Sequence, residues 1–171
     1  MGLLAVALTS CSKDDDSPEP INEEEVITTM TVVLSPGNIT LQSQDLDGDG
    51  PNAPSVTVSG NLSANTTYSG SITFLNELES PAENITEEVE EEDDEHQVIF
   101  VSSGVSLSVS GLNTDGDGNP LGTEFNLSTA DAGSGTLRIV LRHEPTKPND
   151  GTLTGAGGET DIDVSFNVTV E

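Results

Sequence analysis

The sequence predicts an all-β protein: an antiparallel, immunoglobulin-like β-sandwich of about eight or nine strands. Apolar and polar residues alternate with a period of two in many short segments, which is typical of strands with one buried face. Residues that favour turns separate these segments about every 8 to 15 positions, and no helical period intervenes. Such a chain buries its apolar faces by packing two sheets together.

Nine segments carry the alternation and are the predicted strands. In chain order they span residues 26–34, 39–41, 56–58, 72–74, 98–101, 105–109, 125–127, 137–141 and 162–168. The last segment alternates most regularly, since Ile162, Val164, Phe166 and Val168 are separated by polar residues. We therefore expect it to have one face in the core and one face in water.

An internal repeat predicts that the sandwich consists of two pseudo-duplicated halves. Residues 39–50 align with 107–118, and residues 68–74 align with 133–139. One segment, 77–95, breaks the strand pattern, because eleven of its nineteen residues are Asp or Glu. Like charges repel one another, so this segment is predicted to be a mobile acidic loop that gains helix only if its charge is neutralised.

The first ten residues predict a lipoprotein signal peptide. The apolar run at residues 3–8 is too short to span a bilayer, which needs about 20 apolar residues. It ends in Leu8-Thr9-Ser10-Cys11, which resembles the lipobox of bacterial lipoproteins, where cleavage precedes a cysteine that then carries a lipid. Cys11, the single cysteine, is thus the predicted lipidation site. The alternative is a short buried helix with a free thiol.

Residues 11–24 predict a flexible acidic tether that leads to a single domain at residues 25–171. Its charged residues and prolines cannot bury enough apolar surface to offset the entropy lost on ordering. The serine, lysine and acidic residues directly after Cys11 resemble the surface-export signal of Bacteroidota lipoproteins. That resemblance implies an outer-membrane protein that faces the cell exterior.

The charge of the chain restricts its partners. Thirty-one Asp and Glu residues against four Lys and Arg give a formal net charge of −27. Such a chain repels nucleic acid and anionic membrane surfaces, and it draws cations toward itself. We therefore expect no nucleic-acid partner. The alternative interpretation is that the acidity only keeps a secreted protein soluble.

Catalysis finds little support in the sequence. The chain contains no Gly-x-Ser-x-Gly nucleophile motif, no His-Glu-x-x-His zinc motif and no glycine-rich phosphate loop. Its one cysteine belongs to the lipobox-like sequence. We therefore predict that the protein is not an enzyme.

Two turns suggest calcium. Asp45, Asp47 and Asp49 alternate before a glycine, which resembles the start of an EF-hand loop, although its closing carboxylate is missing. A second set of oxygen ligands occurs in the repeat and consists of Asn113, Asp115, Asp117 and Glu124. Neither set has flanking helices. Asp-Gly turns are also common in β proteins that bind no metal, so both interpretations stay open.

The two histidines suggest zinc. His96 precedes a predicted strand and His143 ends another, and the repeat would bring both to one end of the sandwich. Two imidazoles and one or two carboxylates suit Zn²⁺ or a similar divalent ion. The candidate carboxylates are Glu77, Glu79, Glu95, Glu144, Glu159 and Asp161. The alternative is a pair of surface histidines that sit beside acids and bind no metal.

Several motifs of the region after the tether resemble one family. They are residues 45–54 (DLDGDGPNAP), 67–70 (TYSG), 95–97 (EHQ), 141–145 (LRHEP), 147–151 (KPNDG) and 157–161 (GGETD). The chain is similar here to small Bacteroidota outer-membrane lipoproteins that are often labelled "type 1 periplasmic binding fold". The resemblance implies an accessory role in uptake beside a TonB-dependent outer-membrane receptor, and it supplies no ligand residues.

The hypothesis that follows is a surface-anchored lipoprotein that binds a divalent cation, preferably zinc, and serves such a transporter. Two alternatives remain from the sequence: a structural or adhesive surface module with no metal role, and a module stabilised by calcium. A site for a small organic ligand is disfavoured because aromatic residues make up only 3% of the chain.

Overall fold

The computed structural model describes residues 25–48 and 50–171. The predicted signal peptide, Cys11 and the tether up to residue 24 lie outside the described residues, as does Asp49. The described residues contain nine strands and two short helices. The strands are β1 Thr29–Ser35, β2 Ile39–Gln44, β3 Ser55–Val58, β4 Thr67–Leu75, β5 His96–Ser103, β6 Leu107–Ser110, β7 Glu124–Thr129, β8 Gly133–His143 and β9 Glu159–Val170. The helices are α1 Ile85–Glu91 and α2 Leu153–Ala156.

The strands form two antiparallel sheets. The larger sheet has six strands in the order β3-β2-β1-β4-β7-β6, and the smaller has three in the order β5-β8-β9. Each of the nine predicted strand segments overlaps one observed strand, so the prediction of an all-β sandwich is confirmed. The small sheet carries both histidines and is therefore the sheet that positions the candidate site.

The core lies between the two sheets and follows the alternation seen in the sequence. On β9, Val164, Phe166, Val168 and Val170 are buried while the residues between them are mostly exposed. Phe74 of the larger sheet is also completely buried. Burying a side chain of this size contributes about 1.5–3 kcal/mol. The period of two thus determines both the pairing register and the inner face of each strand.

The acidic segment differs from the prediction in one respect, because part of it is helix α1. Ile85 and Val89 lie one helical turn apart and are both buried in the core. The Thr86 hydroxyl accepts a hydrogen bond from the backbone N–H of Phe74 and lies 3.2 Å from its carbonyl oxygen. This apolar face holds the helix against β4 despite its acidic residues, since tertiary packing outweighs their repulsion.

The two halves of the repeat lead to different connections. The second pair of aligned segments lies in β4 and β8, each of which is an interior strand of its own sheet, while the first pair begins in β2 and β6 of the larger sheet. After β4 the chain passes through α1 and crosses to the other sheet as β5. After β8 it passes through α2 and returns to the same sheet as β9.

Candidate metal centre

Two strands of the small sheet bring the histidines into contact, with their rings in an edge-on arrangement. His96 begins β5 and His143 ends β8, and the two residues are direct partners in the antiparallel register. Their ring centroids are 4.8 Å apart. His96 is completely buried and His143 is 3% exposed. The structure therefore joins the two histidines at one end of the sandwich.

A β-bulge on the third strand supplies a carboxylate. Leu141 pairs with Ile162, but Arg142 pairs with Thr160, which leaves Asp161 as the extra residue. Strict alternation would direct Asp161 outward, because Ile162 and Val164 of the same strand belong to the core. A bulge changes the direction of a side chain at the point where it occurs. The side chain of Asp161 is accordingly fully buried beside the two histidines.

The three side chains have separations suited to a small metal ion. His143 Nδ1 lies 3.5 Å from Asp161 Oδ1, and His96 Nε2 lies 3.8 Å from Asp161 Oδ2. One ligand atom from each of the three residues lies within 4.8 Å of the others. Tetrahedral Zn²⁺ with bonds of about 2.0–2.1 Å places its ligands roughly 3.3–3.5 Å apart. The two histidine–aspartate distances are near this spacing, but the set as a whole lies only within 4.8 Å, so its side chains have to move closer together to form a three-ligand site.

The polar atoms of this cluster lack hydrogen-bond partners within residues 25–48 and 50–171. These atoms are His96 Nε2, both ring nitrogens of His143 and both carboxylate oxygens of Asp161. Buried polar groups are almost always hydrogen bonded, and an unsatisfied one costs about 1–3 kcal/mol. Because one nitrogen of a neutral His143 carries a proton, the other four atoms direct lone pairs into the cluster.

His96 is oriented for binding through Nε2. Its Nδ1 lies 3.1 Å from the carbonyl oxygen of Glu92, so the tautomer that satisfies this contact donates from Nδ1. Nε2 then carries a lone pair directed at Asp161. Metal-bound histidines commonly donate their other ring N–H to a backbone carbonyl in this way. The end of α1 thus contributes to the site through the backbone of Glu92.

Burial shifts the pKa of two of the three candidate ligands. It lowers the pKa of His96, against the opposing effect of the Glu92 carbonyl, and so favours the neutral imidazole that binds metal. Burial raises the pKa of Asp161, while the neighbouring His143 acts to lower it. A bound cation would favour the ionised carboxylate and remove much of this penalty.

Glu25 is a neighbour of the site that the sequence did not indicate. Donor atoms of Glu25, Glu92 and His96 lie within 4.8 Å of one another. Burial, a hydrogen bond to Glu88 and nearby carboxylates raise the pKa of Glu25 to about 7. Glu25 follows two other glutamates at the end of the predicted tether, and nothing in that run distinguishes it from them.

The other predicted carboxylates separate into two groups. Glu95 and Glu144 lie on the solvent side of His143, with Glu95 Oε2 at 4.0 Å from His143 Nε2. Glu77 accepts hydrogen bonds from Thr29 and Gln44 and belongs to none of the possible metal clusters among the described residues. Glu77 is therefore not a ligand of this centre.

The second calcium-type turn directs its oxygens at protein donors. Asp115 Oδ1 accepts hydrogen bonds from the backbone N–H groups of Asp117 and Asn119, and its Oδ2 lies 3.1 Å from Lys147 Nζ. Although burial acts to raise it, the pKa of Asp115 is lowered by the Asn119 hydrogen bonds and by Lys147. A lysine thus occupies the position where a cation would bind.

The remaining turn ligands among the described residues are also hydrogen bonded locally or exposed. Asn113 Oδ1 accepts hydrogen bonds from the N–H groups of Gly122 and Glu124. The side chains of Asp117 and Glu124 are exposed. In the first turn, Asp45 accepts a hydrogen bond from the Asp47 N–H, and Asp47 accepts one from the Asn52 side chain. These hydrogen bonds are sufficient to explain both turns without calcium.

Comparison with known proteins provides no further guide to the site. No family model, curated protein or solved structure matches the chain. Neither helix of the described region is long and apolar enough to span a bilayer. The functional argument therefore depends on the geometry of the buried cluster.

Proposed function

We propose that this protein binds one divalent transition-metal ion, with zinc preferred, through His96 Nε2, His143 Nδ1 and Asp161. The observation that carries the proposal is the set of five buried, unpartnered donor atoms on these three residues. Each ligand comes from a different strand of one sheet, so the strand pairing brings the three side chains together before an ion binds, and side-chain movement closes the remaining distance. Such a site loses less conformational entropy on binding than one formed by mobile segments.

The donor set favours zinc and its neighbours over calcium or magnesium. Two imidazole nitrogens and a carboxylate are typical zinc ligands. Ca²⁺ prefers six to eight oxygen ligands, and Mg²⁺ prefers an octahedral shell that keeps several waters. By the usual order of divalent stability, Cu²⁺ should bind at least as tightly as Zn²⁺ in vitro, and Mn²⁺ more weakly.

The number of ligands suits an ion that is carried rather than one that only stabilises the fold. Structural zinc sites normally have four protein ligands and no open position. Three protein ligands leave a position for water or for a ligand from a receiving protein. Together with the lipobox-like Cys11 and the family resemblance, this supports an outer-membrane lipoprotein that passes a metal to a TonB-dependent transporter.

Metal titration of the lipid-free chain tests the proposal. In a Cys11→Ala background, calorimetry should give one zinc ion per chain with a submicromolar Kd. Asp161→Asn should weaken binding by at least about tenfold, since second-shell changes alone cost about 10–100-fold. Asp163→Asn, on the same strand but exposed and paired with Arg138, should bind like the parent.

Cobalt provides an independent measurement of the ligand geometry. Co²⁺ bound at a four-coordinate site should give intense visible absorption that is lost in His96→Ala/His143→Ala. Circular dichroism of each variant checks that the β-sandwich is retained. Tight zinc binding by a folded double variant would show that the ion binds elsewhere and would overturn the proposal.

A further inference from the structure

We propose that Glu95, Glu144 and the Nε2 atom of His143 form an outer cation subsite, through which the ion passes on its way to the buried centre. This inference rests on the proposed function, because the outer subsite shares His143 with that centre. One donor atom from each of the three residues lies within 4.8 Å of the others. The ligand class is a partly hydrated divalent transition-metal ion.

The backbone holds the two carboxylates of the outer subsite at the same place. The N–H of Glu144 donates a hydrogen bond of 2.7 Å to the carbonyl oxygen of Glu95. This bond continues the pairing of β5 with β8 one residue beyond the His96–His143 pair. The Glu95 side chain is 50% exposed and Glu144 is exposed, so both can meet an ion in solvent.

The second nitrogen of His143 points to a ligand on this side. His143 is 3% exposed, and no protein atom within the described ranges hydrogen bonds to its Nε2. Glu95 Oε2 lies 4.0 Å away, which is too far for a hydrogen bond. Tetrahedral coordination needs about 3.3–3.5 Å between two ligand atoms, so a movement of about 0.5 Å by the half-exposed Glu95 side chain would let both atoms bind one ion.

His143 connects the outer subsite with the buried centre. The ring presents Nδ1 to Asp161 and Nε2 to Glu95. The ligand side chains of the centre are 0%, 3% and 0% exposed, so an ion has to reach them past other groups. His143 faces the exposed Glu95 and Glu144, whereas His96 faces the half-buried Glu25 and the exposed Glu92.

The two positions are filled in turn because a neutral imidazole has one lone pair on nitrogen. A neutral imidazole therefore binds an ion at Nε2 or at Nδ1 and not at both, so an ion that enters at Nε2 leaves that nitrogen when it is held at Nδ1. At equilibrium the protein therefore holds one tightly bound ion, and the outer subsite affects the rate.

Charge strengthens the effect on the rate. Glu95 ends the acidic segment, in which Glu87, Glu88 and the residues from 90 to 95 are all carboxylates. A cleft lined by one sign of charge raises the association rate of an opposite ion by roughly 10- to 1,000-fold. Removal of Glu95 and Glu144, the two carboxylates beside His143, should therefore slow loading much more than it weakens binding.

Stopped-flow measurement of Zn²⁺ association tests the inference on the full chain in the Cys11→Ala background. Glu95→Gln/Glu144→Gln should reduce the association rate constant by about tenfold or more, with weaker dependence on salt. Its equilibrium Kd should stay within about threefold of the parent, because release uses the same route.

The control is Glu79→Gln/Glu91→Gln, which removes two exposed carboxylates of the same acidic segment and leaves the cluster intact. This variant should load zinc at nearly the parental rate. Equal rates for the two double variants would overturn the outer subsite and leave the buried centre unaffected. Absence of zinc binding by the parent chain would overturn both proposals.

Discussion

Asp161 places a carboxylate between two imidazole rings in the interior, where neither oxygen has a hydrogen-bond partner among the described residues. A buried charge is costly unless it is paired, and burial accordingly raises the pKa of this group. A divalent ion would satisfy the carboxylate and both rings at the same time. At the scale of single residues, the unpartnered Asp161 carboxylate thus destabilises the metal-free chain, and a bound cation would remove this destabilisation.

Glu25 leads to a prediction about pH. Its pKa of about 7 in the folded chain exceeds the ordinary value of 4.5, so between these two pH values the folded state retains a proton that the unfolded state loses. Glu25 therefore contributes stability below pH 4.5 that is lost as the pH rises toward 7. In metal-free buffer, Glu25→Gln should be more stable than the parent at pH 7.5, by about 1 kcal/mol after allowance for solvent screening, and nearly equal at pH 4.

Urea denaturation at the two pH values measures this difference, with Glu79→Gln as an exposed control. If Glu25→Gln raises the free energy of unfolding equally at pH 4 and pH 7.5, the prediction is wrong, because the effect then does not depend on ionisation of Glu25.

Lys147 ties three segments near the site together. Its ammonium group donates to the carbonyl oxygen of Asp93, which follows α1, and pairs with Asp115 in the turn before β7. The side chains of Lys147 and Asp115 are 7% and 0% exposed. The loop that precedes α2 is in this way attached to the segment that leads to His96. At the scale of elements, the position of the first histidine depends on this contact.

Loss of the lysine should be destabilising. Lys147→Met removes the cation from the Asp115 carboxylate, which keeps its hydrogen bonds from Asp117 and Asn119, so we expect a loss of about 1.5–3 kcal/mol. Chemical denaturation measures the loss, and Lys147→Met/Asp115→Asn should recover part of it because no unpaired charge remains. If the single variant loses under about 1 kcal/mol, the ion pair is effectively solvated and the structural argument is wrong.

Helix α1 gives a second prediction at this scale. Ile85 is 2% exposed in the core, so Ile85→Ala should lower the free energy of unfolding by about 2–4 kcal/mol. The carbonyl oxygen of Glu92, just after the helix, contacts His96 Nδ1, and zinc affinity should therefore also fall. Calorimetry and urea denaturation measure the two effects. The control Glu91→Ala, on the exposed face of the same helix, should change neither the stability nor the zinc affinity. If Ile85→Ala binds zinc with the parental Kd, α1 does not position the site.

The fold could be predicted much further than the site. The period of two located all nine strands, because a strand with one face in the core and one face in solvent alternates apolar and polar residues. The internal repeat indicated in addition that His96 and His143 would lie at one end of the sandwich. The bulge at Asp161 could not be foreseen, since it depends on pairing between β8 and β9. Helix α1 and the role of Glu25 could not be predicted either, because both lie in runs of acidic residues. Their positions depend on burial against residues distant in sequence, which outweighs the local repulsion.

Zinc should stabilise the whole molecule, and this effect separates a metal-binding protein from a passive surface module. A ligand at 100 times its Kd adds about 2.7 kcal/mol to the free energy of unfolding, which corresponds to a rise in Tm of roughly 5–10 °C for a chain of this size. Ca²⁺ at the same ionic strength should give at most a small rise, because it only screens the net charge of −27. Scanning calorimetry after chelator treatment, and again after readdition of zinc, measures both effects. Equal rises for Zn²⁺ and Ca²⁺, or a zinc effect that persists in folded His96→Ala/His143→Ala, would mean that the acidic surface and not the buried centre responds to cations.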